Sequence, residues 1–93
     1  MNACEPGRIV ISRAGRDRGA ALVIIGCEGG RLLVADGRHH KLAKPKKKNV
    51  LHVFPRPELI SSIQGKLERG ETLEDHELRK ALSEAGYAAR GNE

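Results

Sequence analysis

Arg8-Ile9-Val10-Ile11-Ser12-Arg13, Ala14-Gly15-Arg16-Asp17-Arg18-Gly19 and Ala20-Ala21-Leu22-Val23-Ile24-Ile25-Gly26 form the continuous stretch from which the fold is read. The first segment is short, rich in β-branched residues and partly alternating, so Ile9 and Ile11 fall on one face of a pleat and the segment reads as a strand. In the second, two glycines bracket three charged residues. That composition suits a tight exposed loop that needs positive φ or a close backbone approach. The third carries the run Leu22-Val23-Ile24-Ile25, which predicts a strand buried on both faces. Strand, tight loop and strand together predict an antiparallel pair.

Moving outward, Cys27-Glu28-Gly29-Gly30 reads as a hairpin connection and Arg31 to Ala35 as a third strand. Asp36-Gly37 is a strong turn signal, predicting a short fourth strand from Arg38 to Leu42 at a sheet edge. A basic loop, Ala43 to Asn49, then leads into a fifth strand, Val50 to Phe54. Proline cannot donate to a ladder, so Pro55-Arg56-Pro57 is expected to end the sheet. Beyond it the period is helical. Leu59, Ile63 and Leu67 recur at i, i+4 and i+8 with Ile60 beside them, and Leu78, Ala81, Leu82 and Ala85 form a second apolar stripe. Thr72 is placed to cap that second helix, with Glu74 and Asp75 in its first turn. Gly86 is placed to stop it, and Tyr87 to fold back on Leu82 in a Schellman-type cap. The expected architecture is mainly β: a small five-stranded barrel over residues 1–54, followed by an α-helical hairpin over residues 55–93.

Ninety-three residues support one small core. The net charge of +5 hides a division: Met1 to Arg56 holds 12 Lys/Arg against 4 Asp/Glu, and Pro57 to Glu93 holds 5 against 8. A polyanion is therefore drawn to the front of the chain. Cys4 and Cys27 have no CxxC spacing and support neither a disulfide framework nor a zinc site. The favoured reading is a reduced compartment with Cys27 as a small core or turn residue, and a bridge between the two is the alternative. Glu5 and Pro6 interrupt an N-terminus that lacks a secretory apolar stretch, and no window approaches the roughly 18 apolar residues of a membrane span. The expectation is a cytoplasmic protein with no membrane partner.

The segment from Gly7 to Gly19 resembles a KOW motif, in which a strand enters a glycine-bracketed charged loop and leaves as a second strand. Its continuation, Val34-Ala35-Asp36-Gly37 followed by Lys44-Pro45-Lys46-Lys47-Lys48-Asn49-Val50, is similar to the KOW branch related to the large-subunit ribosomal protein L-fourteen-e. The likeness spans roughly residues 7 to 53. KOW sequences often carry a third glycine where this chain has Leu22, a departure that the ribosomal branch tolerates. The resemblance implies an SH3-like barrel that binds structured RNA, with ribosomal RNA of the large subunit foremost, beside ribosomal protein neighbours.

The chemistry of the residues agrees with that implication. Arg13, Arg16 and Arg18 lie on or beside a loop in which Gly15 and Gly19 let the backbone approach a phosphate, and arginine can grip two phosphate oxygens at once. Lys44, Lys46, Lys47 and Lys48 supply hydrated point charges stiffened by Pro45. Arg38 and Lys41, beside the turn shaped by Gly37, extend the basic rim. Taken alone, a lysine run is a solvated loop; beside the resemblance it reads as an RNA contact. Phe54 and Tyr87 are the sole aromatic residues, so recognition of backbone and shape is favoured over base readout.

Enzymatic and metal chemistry find little footing. His39 and His40, as neighbours in a strand, would point to opposite faces and could not easily share a metal. Asp17 and Asp36 read as turn formers, with no nucleophile–base pair, small-molecule pocket or cofactor motif to complete a catalytic constellation. The competing reading is a protein-interaction module that docks a partner through Ile63, Leu78 and Leu82 of the C-terminal helices.

Overall fold

The computed structural model describes residues 4–87. Five strands, β1 (Arg8–Ser12), β2 (Ala21–Glu28), β3 (Arg31–Ala35), β4 (Lys46–Lys48) and β5 (Val53–Leu59), precede two helices, α1 (Ser61–Glu68) and α2 (Asp75–Glu84). The strands form one antiparallel sheet in the order β4-β3-β2-β1-β5. The hairpin joining β2 to β3 turns on Gly29 and Gly30, both at positive φ, with Glu28 opposite Arg31.

Pleat alternation divides the apolar residues between two clusters. Ile9, Val23 and Ala35 meet Ile63 of α1 and Leu78 and Leu82 of α2. Val10, Leu22, Ile24, Leu32, Val34 and Val53 gather on the opposite face. Val53 lies in an edge strand and Leu32 two strands beyond β1, so their shared cluster requires the sheet to curl. Ile9, Val10, Leu22, Val23, Val34 and Leu78 are wholly buried. At about 1.5–3 kcal/mol for each such side chain, these two clusters dominate the stability of the domain.

The closed barrel expected from the sequence is not formed: β4 and β5 remain the two edges of an open sheet. Two physical reasons act together. β4 is three residues long, and Pro55 and Pro57 remove N–H donors from β5. The prolines also do not end the sheet. β5 runs through both, with Pro55 opposite Val10, because an edge strand tolerates residues that cannot donate outward. The division drawn after Phe54 therefore falls within a strand, and the helices share a core with the sheet.

The segment 38–42 is a loop, and the fourth strand is the lysine run itself. Asp36 is the cause. Its Oδ1 accepts from the N–H groups of Arg38 and His40, each at 2.9 Å, and its own N–H donates to the His40 carbonyl at 2.8 Å. Donors captured by a carboxylate are not free for a ladder. The loop is docked on α2: Leu42 N–H donates to Asp75 Oδ1 at 2.8 Å and Arg79 donates to the Gly37 carbonyl at 2.7 Å.

Glu74, and not Thr72, caps α2, through a reciprocal box with Glu77. At the other end Gly86 adopts positive φ, and Tyr87 N–H donates to the Leu82 carbonyl at 2.9 Å, which is the Schellman closure read from the sequence. Cys4 and Cys27 are joined in a disulfide with their Cα atoms 6.1 Å apart, which corrects the expectation of two reduced thiols. The sequence offered no spacing signal because the two cysteines meet only after β2 has been laid down beside the N-terminal arm. Among the described residues, no helix is long and apolar enough to cross a membrane.

Two outcomes follow from this packing. A Cβ at Gly37 would collide with the Asp75 carbonyl oxygen, at a φ of +78° that already disfavours side chains; Gly19, at +88°, has open space around it. Gly37→Ala is expected to cost more than about 2 kcal/mol in urea unfolding, and Gly19→Ala about 1 kcal/mol from backbone strain alone. Thiol titration of unfolded, unreduced protein is expected to find no free cysteine, and reduction to lower stability by about 3 kcal/mol for a loop of this size.

Candidate nucleic-acid interface

The loop between β1 and β2 is built around Asp17. Its backbone closes through Gly19 N–H to the Ser12 carbonyl and Ala20 N–H to the Asp17 carbonyl, both at 2.8 Å, with Gly15 and Gly19 at positive φ. The Asp17 side chain turns inward and is 9% exposed. Its Oδ1 accepts from Ser12 Oγ and from Lys48 Nζ, each at 2.8 Å. Lys48 also donates to the Ala14 carbonyl at 2.8 Å. Oδ2 is buried, accepts no aligned hydrogen bond among the described residues, and lies 3.2 Å from His40 Nε2. Burial pushes the Asp17 carboxyl up, but hydrogen bonds from Lys48 and Ser12, with the charges of Lys48 and His40, outweigh it and hold the group below its ordinary value.

Lys48 therefore does not belong to the basic surface. It is 6% exposed and faces inward opposite Leu32. Pleat alternation puts Lys46 on the same side of β4 and Lys47 on the other, where Lys47 Nζ lies 3.8 Å from Glu28 with both groups largely exposed. Arg13, Arg16, Arg18, Arg38, Lys41, Lys44, Lys46 and Lys47 are all exposed.

Arg16 and Lys46, from the two basic elements, line one cavity of about 200 Å³ together with His39, His40, Asp17 and Asp36. The cavity brings His39 and His40 to one place, against the expectation that they diverge, because the segment carrying them is a loop and strand alternation does not apply. Asp36 is a loop former as expected, whereas Asp17 is the buried centre of the site. Nothing in the spacing of Asp17 and Lys48 marks them as partners. On the flank of the loop, the Arg13 guanidinium lies over the Phe54 ring, 4.2 Å from its centroid, an attraction of about 0.5–1 kcal/mol at an exposed position.

The helices carry the opposite charge. Glu68, Glu71, Glu74 and Glu84 are exposed on or beside them, and α1 is tied to α2 by Lys66 and Glu77 at 2.8 Å. From Pro57 to Tyr87 the chain holds four Lys/Arg against seven Asp/Glu, so the sign of the net charge reverses between the basic loops and the helices.

Lys48→Met is expected to cost about 3–5 kcal/mol at neutral pH, because it leaves the buried Asp17 carboxylate without its main partner. The sign with pH follows from the lowered Asp17 pKa. Stability from the ionised group is fully present above its unfolded value, near 3.8, and is lost as pH falls from there through the lower folded value. In the variant only the Ser12 hydrogen bond and the His40 charge still oppose burial, acid neutralises the orphaned charge, and the stability gap to the parent is expected to narrow as Asp17 is protonated in urea titrations run towards low pH. No protein-family model matches the sequence.

Proposed function

We propose that this chain is an RNA-binding protein of translation, ribosomal protein-like or ribosome-associated, which grips structured RNA through the rim around Arg16 and Lys46, and that its open sheet is a KOW-type, SH3-like unit. The observation that carries the reading is the clamp between Asp17 and Lys48. It fastens the AGRDRG loop to the lysine strand, so that Arg16 and Lys46 line one cavity and Arg13, Arg18, Arg38, Lys41, Lys44 and Lys47 stand exposed on the same or adjoining segments. Guanidinium groups that take two phosphate oxygens, flanked by mobile ammonium groups, suit a folded polyanion whose phosphates lie in fixed positions.

The competing reading is weakened by burial. Ile63, Leu78 and Leu82, the stripe a docking partner would need, are 2%, 0% and 7% exposed and already cover Ile9 and Val23. Among the described residues, the exposed positions of the helices are polar or charged, which is not the apolar ridge that inserts into a groove.

The test is sedimentation with purified ribosomal subunits through sucrose at low and high salt, comparing the parent with Arg16→Ala/Lys46→Ala/Lys47→Ala, which spares Lys48. The parent is expected to travel with large subunits at low salt and the variant, still folded by circular dichroism, to remain at the top. On an isolated structured RNA fragment, the slope of log affinity against log salt should flatten by about 2 in the variant. A parent that stays at the top in low salt, or an affinity indifferent to salt, refutes the proposal.

A further inference from the structure

Phe54 is the sole phenylalanine of the chain and it is left 52% exposed. Alternation along β5 sends Val53 inward and Phe54 outward, opposite Ile11 of β1. A strand position of this kind asks for no large ring, and the ring gains little from burial where it stands. It is instead organised. Arg13 N–H donates to the His52 carbonyl at 2.8 Å, which fixes the end of β1 beside β5, and the Arg13 guanidinium lies over the ring at 4.2 Å. The turn before it adds apolar surface: Leu51 is 75% exposed and Val50 37%, held by Asn49 Oδ1, which accepts from Leu51 N–H at 2.8 Å. From Asn49 to Arg56 the segment contains no acidic residue.

A cationic plane, an exposed aromatic face and neighbouring basic loops are the elements of a base-stacking platform. We infer that Phe54, oriented by Arg13, stacks one unpaired nucleobase of the RNA, so that the target carries an extrahelical or looped nucleotide beside the phosphates held at the rim. The inference rests on the RNA reading above and specifies the class of RNA. A base within a continuous duplex has both faces covered by its neighbours and cannot use the ring; an unstacked base can. The platform is indifferent to base identity, since every base presents a π-face, and a charged rim with one ring selects an irregularity in the RNA's shape without reading a sequence. The absence of carboxylates from the segment favours a nucleotide, whose phosphate they would repel.

The experiment uses two dye-labelled RNA duplexes of identical stem, one continuous and one with a single-nucleotide bulge of 2-aminopurine, with the parent protein and the variants Phe54→Tyr, Phe54→Leu and Phe54→Ala. The parent is expected to bind the bulged duplex about 10-fold more tightly than the continuous one, within the range of one stacked base, and to change the 2-aminopurine emission on binding. Phe54→Tyr keeps both effects. Phe54→Leu, apolar but without a ring, and Phe54→Ala lose both while binding the continuous duplex as the parent does, which separates stacking from loss of structure. Equal affinity of the parent for the two RNAs, or an unchanged preference in Phe54→Leu, overturns the inference, leaves the RNA reading standing and turns Phe54 into a surface for a protein neighbour. Failure of the parent to bind either duplex overturns both.

Discussion

A buried ion pair between Asp17 and Lys48 governs the arrangement of everything at the basic end of the molecule. Neither group is near the other in sequence, and each would be costly to bury alone. Together, with Ser12 and the Ala14 carbonyl supplying the remaining hydrogen bonds, they join three parts of the chain: the end of β1, the glycine-bracketed loop and β4. His40, at 3.2 Å from the second Asp17 oxygen, adds the loop that follows β3. The pairing ties a three-residue strand of consecutive lysines to the glycine-bracketed loop, in the register that sets Lys48 opposite Leu32 and Lys46 opposite Val34.

The two apolar faces of the sheet are both used by the chain itself, one by the helices and one by the curl of the strands. Apart from the apolar patch of Val50, Leu51 and Phe54, the outside is largely charged and polar, and the balance of sign differs along the chain. Most of the exposed cations belong to loops and to an edge strand, where a backbone with positive-φ glycines can come close to another surface; most of the exposed anions lie on or beside the helices, whose reciprocal cap places Glu74 and Glu77 at the start of α2. Under the function proposed above, such a difference would orient the molecule in the field of a polyanion before any contact forms, with the helices turned away.

Much of the framework was legible in the sequence. The strands around the AGRDRG loop, the Gly29-Gly30 hairpin and the Gly86–Tyr87 closure follow from periodicity and turn chemistry, which are local. The departures were long-range. Asp36-Gly37 has the composition of a hairpin turn, but the Asp36 carboxylate takes N–H groups that a ladder would need, and Asp75 and Arg79 of α2, some forty residues later, hold the resulting loop. Pro55 and Pro57 break a strand in general and not at an edge, and sequence alone does not rank strands by their place in a sheet. For the site, the exposed arginines were found by charge and glycine spacing. Lys48 could not be told from Lys46 and Lys47, since alternation sets which lysine turns inward only once β4 is known to be a strand.

An open sheet has two free edges, and each is a template on which another copy of the chain could add a strand. Here both are spoiled by the residues already described for other reasons. β4 offers three backbone units carrying lysines, two of them exposed, whose charges repel an identical neighbour. β5 offers seven, two of which are prolines without an N–H. The features that keep the sheet from closing on itself therefore also make its two edges poor templates for a strand from another copy of the chain.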